Sequence, residues 1–112
     1  MSRNMSFMLT ADQIKNRTKT VTRRLGWWFL KPRDILNACE KCQGLKKGEK
    51  IKKICQIRIL HTQKVLLCNM EPLDCVREGF PDLTEDEFIE MFMREMQCSY
   101  VEHVNRIWFE YV

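Results

Sequence analysis

The sequence lacks any long apolar run. Hydrophobic residues make up 45% of its 112 residues, but the longest uninterrupted apolar stretches are only a few residues, which excludes a transmembrane helix. The N-terminal residues 1–4 lead into an apolar stretch that is too short for a secretory signal peptide. Charged residues make up 30% of the chain, as in an ordinary globular protein. We therefore expect one domain spanning residues 1–112, cytoplasmic and without membrane contact.

The sequence also has few paired metal ligands. Cys39 and Cys42 form a C-x-x-C pair, whereas the other four cysteines stand alone and His61 and His103 are isolated. A structural zinc site usually needs two such pairs, or one pair with closely spaced histidines, and the sequence places no further ligands for a zinc-bound interaction domain. Without a secretory signal, reduced thiols are favoured over disulfides. We expect a structural role for this pair and neither a metal nor another cofactor.

Charge is unevenly distributed along the chain. Residues 15–58 hold 14 Lys or Arg against 3 Asp or Glu, whereas residues 69–112 hold 3 against 11, within a net charge of +4. If the halves do not interleave, one face is a basic patch suited to phosphates. If they do interleave, the surface is mixed and favours no particular partner. In either case the lysine-rich loop at residues 43–53 supplies auxiliary RNA contacts at best, or only keeps a sheet edge soluble.

The most informative stretch is residues 16–24, which contains four cations and three threonines in nine residues. Two tryptophans follow closely. Phosphates bind cations and nucleobases stack on aromatic rings, so this composition suits a nucleotide. A solvated loop after a short helix is the competing interpretation. The candidate nucleotide-binding or RNA-binding residues are Arg17, Arg23, Arg24, Trp27 and Trp28.

This stretch also resembles a known family. Lys19-x-x-Thr22-x-Arg24 is similar to the G-x-K-x-x-E/T-x-R signature of ASCH domains, a branch of the PUA-like RNA-associated folds. More narrowly, the run KTVTRR at residues 19–24 resembles the K-T-x-T-x-R run of small ASCH-type amidohydrolases that deacetylate N4-acetylcytidine. The glycine of the broad signature falls on Arg17, which is a departure. The resemblance implies an α+β fold, with a small, partly open β-barrel and flanking helices.

The resemblance further implies a catalytic triad of Lys19, Thr22 and Glu78 acting on RNA or a modified nucleoside. In this chemistry a Lys whose pKa is lowered by burial or by nearby cations deprotonates the Thr nucleophile. Glu78 then transfers a proton to the leaving amine or activates water, while Arg24 holds phosphate or orients the carboxylate. A non-catalytic RNA-binding module using Lys19, Arg24 and the tryptophans is the alternative. Glu78 could also form a salt bridge with Lys19 that only fixes the fold.

Residue patterns predict alternating elements of an α+β domain. In a regular strand Lys19 and Thr22 would point to opposite faces, so both can reach one pocket only if the backbone turns or bulges between them. Capping boxes are predicted at Thr10 with Gln13 and at Thr84 with Glu87. The predicted strands are residues 7–9, 35–41, 54–60 and 104–112, with strand pairing continuing through residues 61–67, and residues 19–24 favour extended geometry. The predicted helices are residue 10 to about residue 17, residues 70–79, and one that begins at residue 84.

Overall fold

The computed structural model describes residues 2–112 as a curled five-stranded β-sheet flanked by helices. The strands are β1 (Arg3–Ser6), β2 (Val21–Arg24), β3 (Ile35–Cys39), β4 (Lys53–Leu66) and β5 (His103–Tyr111). The helices are α1 (Ala11–Lys15), α2 (Pro72–Arg77) and α3 (Glu85–Met96), with a short 3₁₀ turn at Met8–Thr10.

The sheet has the strand order β1-β3-β4-β5-β2. The short strands β1 and β3 are parallel, whereas all other neighbours are antiparallel. β1 and β2 are the two edges, so the barrel stays open between them. The long strand β4 shifts register between Ile59 and His61, and an irregularity of this kind bends a strand. The predicted α+β class and partly open barrel with flanking helices are thereby confirmed.

Two apolar clusters form the core. The first lies against the sheet and includes Met5, Phe7, Leu36, Ile57 and Phe109, among others. The second lies between the helices and the far ends of β4 and β5, and it consists of Leu67, Cys75, Phe88, Ile89, Phe92 and Val104. The Phe residues on α3 are four positions apart, so they lie on one helical face and pack in this cluster.

The N-terminal segment differs from its prediction. The strand predicted at residues 7–9 is wrong, because pairing with β3 places the strand at Arg3–Ser6. Phe7 is buried, but Met8 and Leu9 are about half exposed and belong to the 3₁₀ turn. The capping box predicted at Thr10 is also wrong: the Thr10 side chain makes no cap hydrogen bond. Gln13 instead donates from Nε2 to the carbonyl oxygen of Gly79, 2.9 Å away.

The later helices follow the sequence more closely. α3 begins with the predicted capping box: Thr84 Oγ1 accepts from the Glu87 amide at 3.2 Å, and Glu87 Oε1 accepts from the Thr84 amide at 3.0 Å. α2 lies within its predicted range and carries Pro72 at its first turn, where a missing amide proton is tolerated. Within residues 2–112, none of the helices is long and apolar enough to cross a membrane.

Candidate active site

A cleft of about 440 Å³ opens beside the edge strand β2. Its volume lies in the range of small-molecule sites, roughly 300–1,000 Å³. β1 with the 3₁₀ turn after it, α3, and the loops that follow β3 and α2 complete its walls. The sequence-predicted site residues that line it are Lys19, Thr22, Arg23, Arg24, Trp27 and Glu78.

A tight turn brings Lys19 to this cleft. α1 ends at Lys15, and Arg17 then adopts a left-handed backbone conformation with φ of 63°. Gly adopts this conformation at little cost, and Arg17 stands where the ASCH signature that this stretch resembles has glycine. Because β2 begins only at Val21, Lys19 precedes the strand and escapes its alternation. The turn lies before Lys19, at Asn16 and Arg17, and not between Lys19 and Thr22 as the sequence predicts. The position of Lys19 outside the strand allows both side chains to line the cleft.

Lys19 and Glu78 form a buried ion pair. Lys19 Nζ lies 3.1 Å from Glu78 Oε1 and also donates to the backbone carbonyl of Glu78. The two side chains are 4% and 3% exposed. Burial lowers the pKa of Lys19, the Glu78 carboxylate opposes this shift, and Arg24 and Arg23 reinforce it. A lysine in this setting loses its proton more readily than one in water, as a general base must.

Thr22 is held by a different cation. Arg24 donates from Nε to Thr22 Oγ1 at 3.0 Å, and its guanidinium lies 4.7 Å from the centre of the Phe7 ring. Burial lowers the pKa of Arg24 to about 10, while Glu78 opposes the shift. Arg24 therefore places a positive charge beside the hydroxyl oxygen of Thr22.

Arg23 faces inward instead of toward solvent. It donates from Nη1 to Glu78 Oε2 at 3.0 Å and from Nη2 to Asp74 Oδ2 at 2.6 Å. Its side chain is 1% exposed, and its Nε finds no hydrogen-bond partner among residues 2–112. Arg23 therefore binds two buried carboxylates of the protein. The sequence predicts a nucleotide contact for this residue.

Asp74 is the functional candidate that sequence reasoning missed. Besides Arg23, it accepts two hydrogen bonds from Arg106, at 2.7 and 2.8 Å, and one from Arg77 at 3.0 Å. We call these connected side chains the ion-pair network, which comprises Lys19, Arg23, Asp74, Arg77, Glu78 and Arg106. Asp74 and Glu78 are four residues apart, a spacing that places side chains on one helical face, and this was the available signal.

The remaining predicted nucleotide contacts lie apart from one another. Trp27 lines the cleft, but Trp28 is 52% exposed on the outer surface, with Lys64 Nζ 5.8 Å from the centre of its ring. Arg17 is exposed and lies over the ring of Tyr111. The structure thus brings together one of the two tryptophans and two of the three arginines.

The cysteine pair lies at the edge of the same cleft. Cys42 lines it, and Cys39 is buried at the end of β3. Burial and the neighbouring Cys42 raise the pKa of the Cys39 thiol to about 11, which disfavours the thiolate that metals bind. Among residues 2–112, no group of three or more His, Cys, Asp or Glu side chains is arranged to hold a metal ion.

Comparison with known proteins establishes the fold. No family model matches the sequence, and no curated protein matches it significantly. The ASCH domain from Lactobacillus crispatus JV V101 superposes with a TM-score of 0.66 and 15% identity, covering 97% of this chain and 78% of that one. A protein from Enterococcus faecalis V583, described by the DUF984 family model, gives a TM-score of 0.65 and 14% identity, covering 99% and 79%.

At these identities the likeness concerns the fold alone. It extends over nearly the whole of this chain, so it is not limited to the short motif at residues 19–24. The chain therefore has an ASCH-like, PUA-like α+β fold.

Proposed function

We propose that this protein is an amidohydrolase that removes the acyl group from N4-acylated cytidine. The observation that carries the proposal is the convergence of Lys19, Thr22 and Glu78 in one cleft. Lys19 and Thr22 adjoin or belong to β2, whereas Glu78 follows α2, 59 residues after Lys19. A base, a nucleophile and a proton-transfer group from two distant segments meet where a small molecule fits.

The first chemical step forms an acyl-enzyme. Lys19, in its neutral form, takes the hydroxyl proton of Thr22, and Thr22 Oγ1 bonds to the acyl carbon. The hydrogen bond from Arg24 to Oγ1 favours the deprotonated hydroxyl while Lys19 takes its proton. The negative charge of the tetrahedral intermediate then lies on the acyl oxygen. Collapse of the tetrahedral intermediate breaks the bond between the acyl carbon and N4, and the leaving amine takes a proton from the Lys19–Glu78 pair.

The second step regenerates the enzyme. Glu78, with Lys19 beside it, accepts a proton from water as the water attacks the ester formed on Thr22. The ester bond breaks, a carboxylic acid leaves and Thr22 recovers its hydroxyl proton. Lys19 hydrogen-bonds Glu78 and not Thr22 in this structure. Catalytic hydrogen bonds commonly tighten only when substrate is bound, so this arrangement is compatible with the role of Lys19 as base.

The cleft also matches the substrate in size and surface. Its reacting groups are almost fully buried, so an RNA backbone lying on the surface does not reach them, whereas a small molecule or an extruded base is small enough to enter the cleft. Trp27 and Phe80 line the cleft and offer flat apolar surface for a pyrimidine ring. The site therefore favours a modified nucleoside over contact with an RNA backbone.

A non-catalytic RNA-binding module is the second candidate function, and one observation favours it. Trp28 and Phe29 are each 52% exposed, and each ring carries a cation, Lys64 at 5.8 Å and Arg3 at 4.5 Å. Exposed rings beside cations are the usual platform for single-stranded nucleic acid. This surface lies outside the cleft, so it bears on RNA binding without bearing on hydrolysis.

Hydrolysis of N4-acetylcytidine to cytidine tests the proposal. Thr22→Val keeps the shape of the side chain and removes the hydroxyl, so we expect turnover to fall by about 100-fold or more. Thr22→Ser keeps the hydroxyl and should retain activity. Thr18→Val is the matched control, because the hydroxyl of Thr18 is exposed and bonds only to Asn16.

Two results would overturn the proposal. One is that the wild-type protein hydrolyses none of a panel of N4-acylated cytidines. The other is that Thr22→Val retains full turnover. If RNA binding is then weakened by Trp28→Ala and falls with rising salt, the binding module is the correct function.

A further inference from the structure

Two buried carboxylates are joined by a single guanidinium. The two terminal nitrogens of Arg23 bind Glu78 and Asp74, at 3.0 and 2.6 Å, and all three side chains are at most 3% exposed. The guanidinium group is planar and its donors form a rigid fork. The position of one carboxylate therefore constrains the position of the other.

Asp74 is the fixed end of this link. Arg106 reaches it from β5 with two hydrogen bonds, and Arg77 reaches it from the same helix. Burial alone would raise the pKa of Asp74, but the hydrogen bonds from these arginines and from Arg23 hold that pKa well below its usual range. Asp74 is thus an anion whose position is fixed by Arg106 of β5, a strand that is paired on both sides.

Glu78 is the other end of this link, and its orientation depends on Arg23. Its Oε2 is held by Arg23 and its Oε1 faces Lys19 Nζ at 3.1 Å. Turning the carboxylate away from Lys19 would break the bond to Arg23. Arg23 cannot follow such a turn without losing Asp74, because both of its terminal nitrogens are in use.

We propose that Asp74 is a positioning residue that acts through Arg23 to hold the Glu78 carboxylate against Lys19. The inference rests on the proposed function for the roles of Lys19 and Glu78, but the geometry it describes does not. Asp74 itself does not line the cleft, so it has no contact with substrate. Its effect is to fix an orientation and to neutralise part of the charge of Arg23.

Several charged groups surround Lys19 and determine how it responds. Arg23 and Arg24 from β2 lower its pKa, and Glu78 raises it. Lys41 and Cys42 from the loop after β3, and Glu95 from α3, line the same cleft. Tyr111 from β5 donates to the backbone carbonyl of Lys19. Removing the negative charge of Asp74 leaves more of the Arg23 charge uncompensated, which lowers the pKa of Lys19 further.

The test compares two variants with opposite expected shifts. Asp74→Asn should lower kcat on N4-acetylcytidine by about 10- to 100-fold, with KM little changed, because the base and acid lose their alignment. Its kcat/KM profile should move its acid limb to lower pH, since this limb reports the base of the free enzyme. Arg106→Gln removes a cation and should move the same limb to higher pH.

A charge-conserving variant separates geometry from charge. Arg23→Lys keeps the positive charge but replaces the rigid fork with one nitrogen, which cannot occupy the positions of both Nη1 and Nη2, so we expect kcat to fall although the charge is kept. Arg58→Lys is the matched control: Arg58 binds Glu110 at 2.8 Å in the same sheet, but this pair is about 40% exposed and outside the cleft. It should leave kcat unchanged.

A readout independent of activity distinguishes this inference from the proposed function. The Lys19 side chain, observed by NMR in protein with ¹³C-labelled lysine, should titrate at lower pH in Asp74→Asn and at higher pH in Arg106→Gln. Absence of hydrolysis in the wild type would refute the proposed function. The titration of Lys19 would still test whether Asp74 acts on Lys19 through Arg23. Unchanged titration in both folded variants would overturn the inference. Should Asp74→Asn fail to fold, Arg106→Gln, whose side chain is 14% exposed, carries the test.

Discussion

Four charged residues are buried as deeply as the apolar residues of the first core cluster. Measured over the whole residue, the exposed fraction is 2–3% for Lys19, Arg23, Asp74 and Glu78. The two regions share their burial and differ in chemistry. Apolar burial contributes about 25 cal/mol per Å² of surface removed from water. Burial of an ion costs several kcal/mol, which its partners must offset. The apolar cluster therefore stabilises the fold through burial itself. The buried ions are tolerated only while each of them has an oppositely charged partner.

The difference concerns why the protein contains buried charges in the ion-pair network. Apolar side chains in place of a buried ion pair are often neutral or stabilising, so stability alone does not require the ion-pair network. The network lies beside Thr22 and Arg24 at the cleft, whereas the first apolar cluster lies against the sheet and reaches the cleft through Phe7. Under the proposed function, these charges serve the chemistry of the cleft.

Breaking the network should have the largest effect on stability. Glu78→Leu leaves Lys19 without its carboxylate and Arg23 with one partner, so we expect the free energy of unfolding to fall by about 3–5 kcal/mol. The double variant with Lys19→Met should lose less than Glu78→Leu alone. Urea denaturation measures both. Glu110→Leu is the control, since its exposed pair with Arg58 should contribute about 1 kcal/mol or less. A double variant less stable than the single one would refute the comparison.

A cavity in the apolar core should have a somewhat smaller effect and a different signature. Leu36 is buried in β3, away from the cleft. Leu36→Ala should lower the free energy of unfolding by about 3 kcal/mol, while kcat per folded molecule stays unchanged. Denaturation and activity measured on the same sample check this. A loss of kcat beyond the unfolded fraction would show that the two regions are coupled.

Removing the cap of α3 should have the smallest effect. Thr84→Ala deletes the side-chain oxygen that accepts from the Glu87 amide and should lower the free energy of unfolding by about 1 kcal/mol. Thr84→Ser keeps this acceptor and serves as the control. Thermal unfolding monitored by circular dichroism resolves the two. Equal stability of both variants would mean that the capping hydrogen bond contributes nothing.

Local patterns predicted the elements that have strong local signals. α3 follows from its capping box, and β5 lies within one residue of the strand predicted at residues 104–112. β1 was missed because its residues, Arg3–Ser6, carry no strand pattern, and only pairing with β3 makes them a strand. The Thr10 capping box failed because Gln13 finds a tertiary partner in Gly79.

The candidate site divides in the same way. Lys19, Thr22 and Glu78 came from a resemblance and from order along the chain, and the fold brings them into one cleft. The orientation of Arg23 and the part played by Asp74 depend on which partners the fold supplies. Arg106 binds Asp74 from a strand 32 residues away, and no local pattern encodes such a choice.

The turn before β2 has a consequence for motion. The segment from Arg17 to Thr20 lies outside helix and strand, yet it is tied on every side. The Lys19 amide donates to Gln13, the Thr20 amide donates to Arg77, and the Lys19 carbonyl accepts from Tyr111. Local opening here would have to break contacts with both ends of the chain at once. Its amides should therefore exchange with solvent as slowly as those of the central strands, which makes this loop one of the last parts of the protein to open.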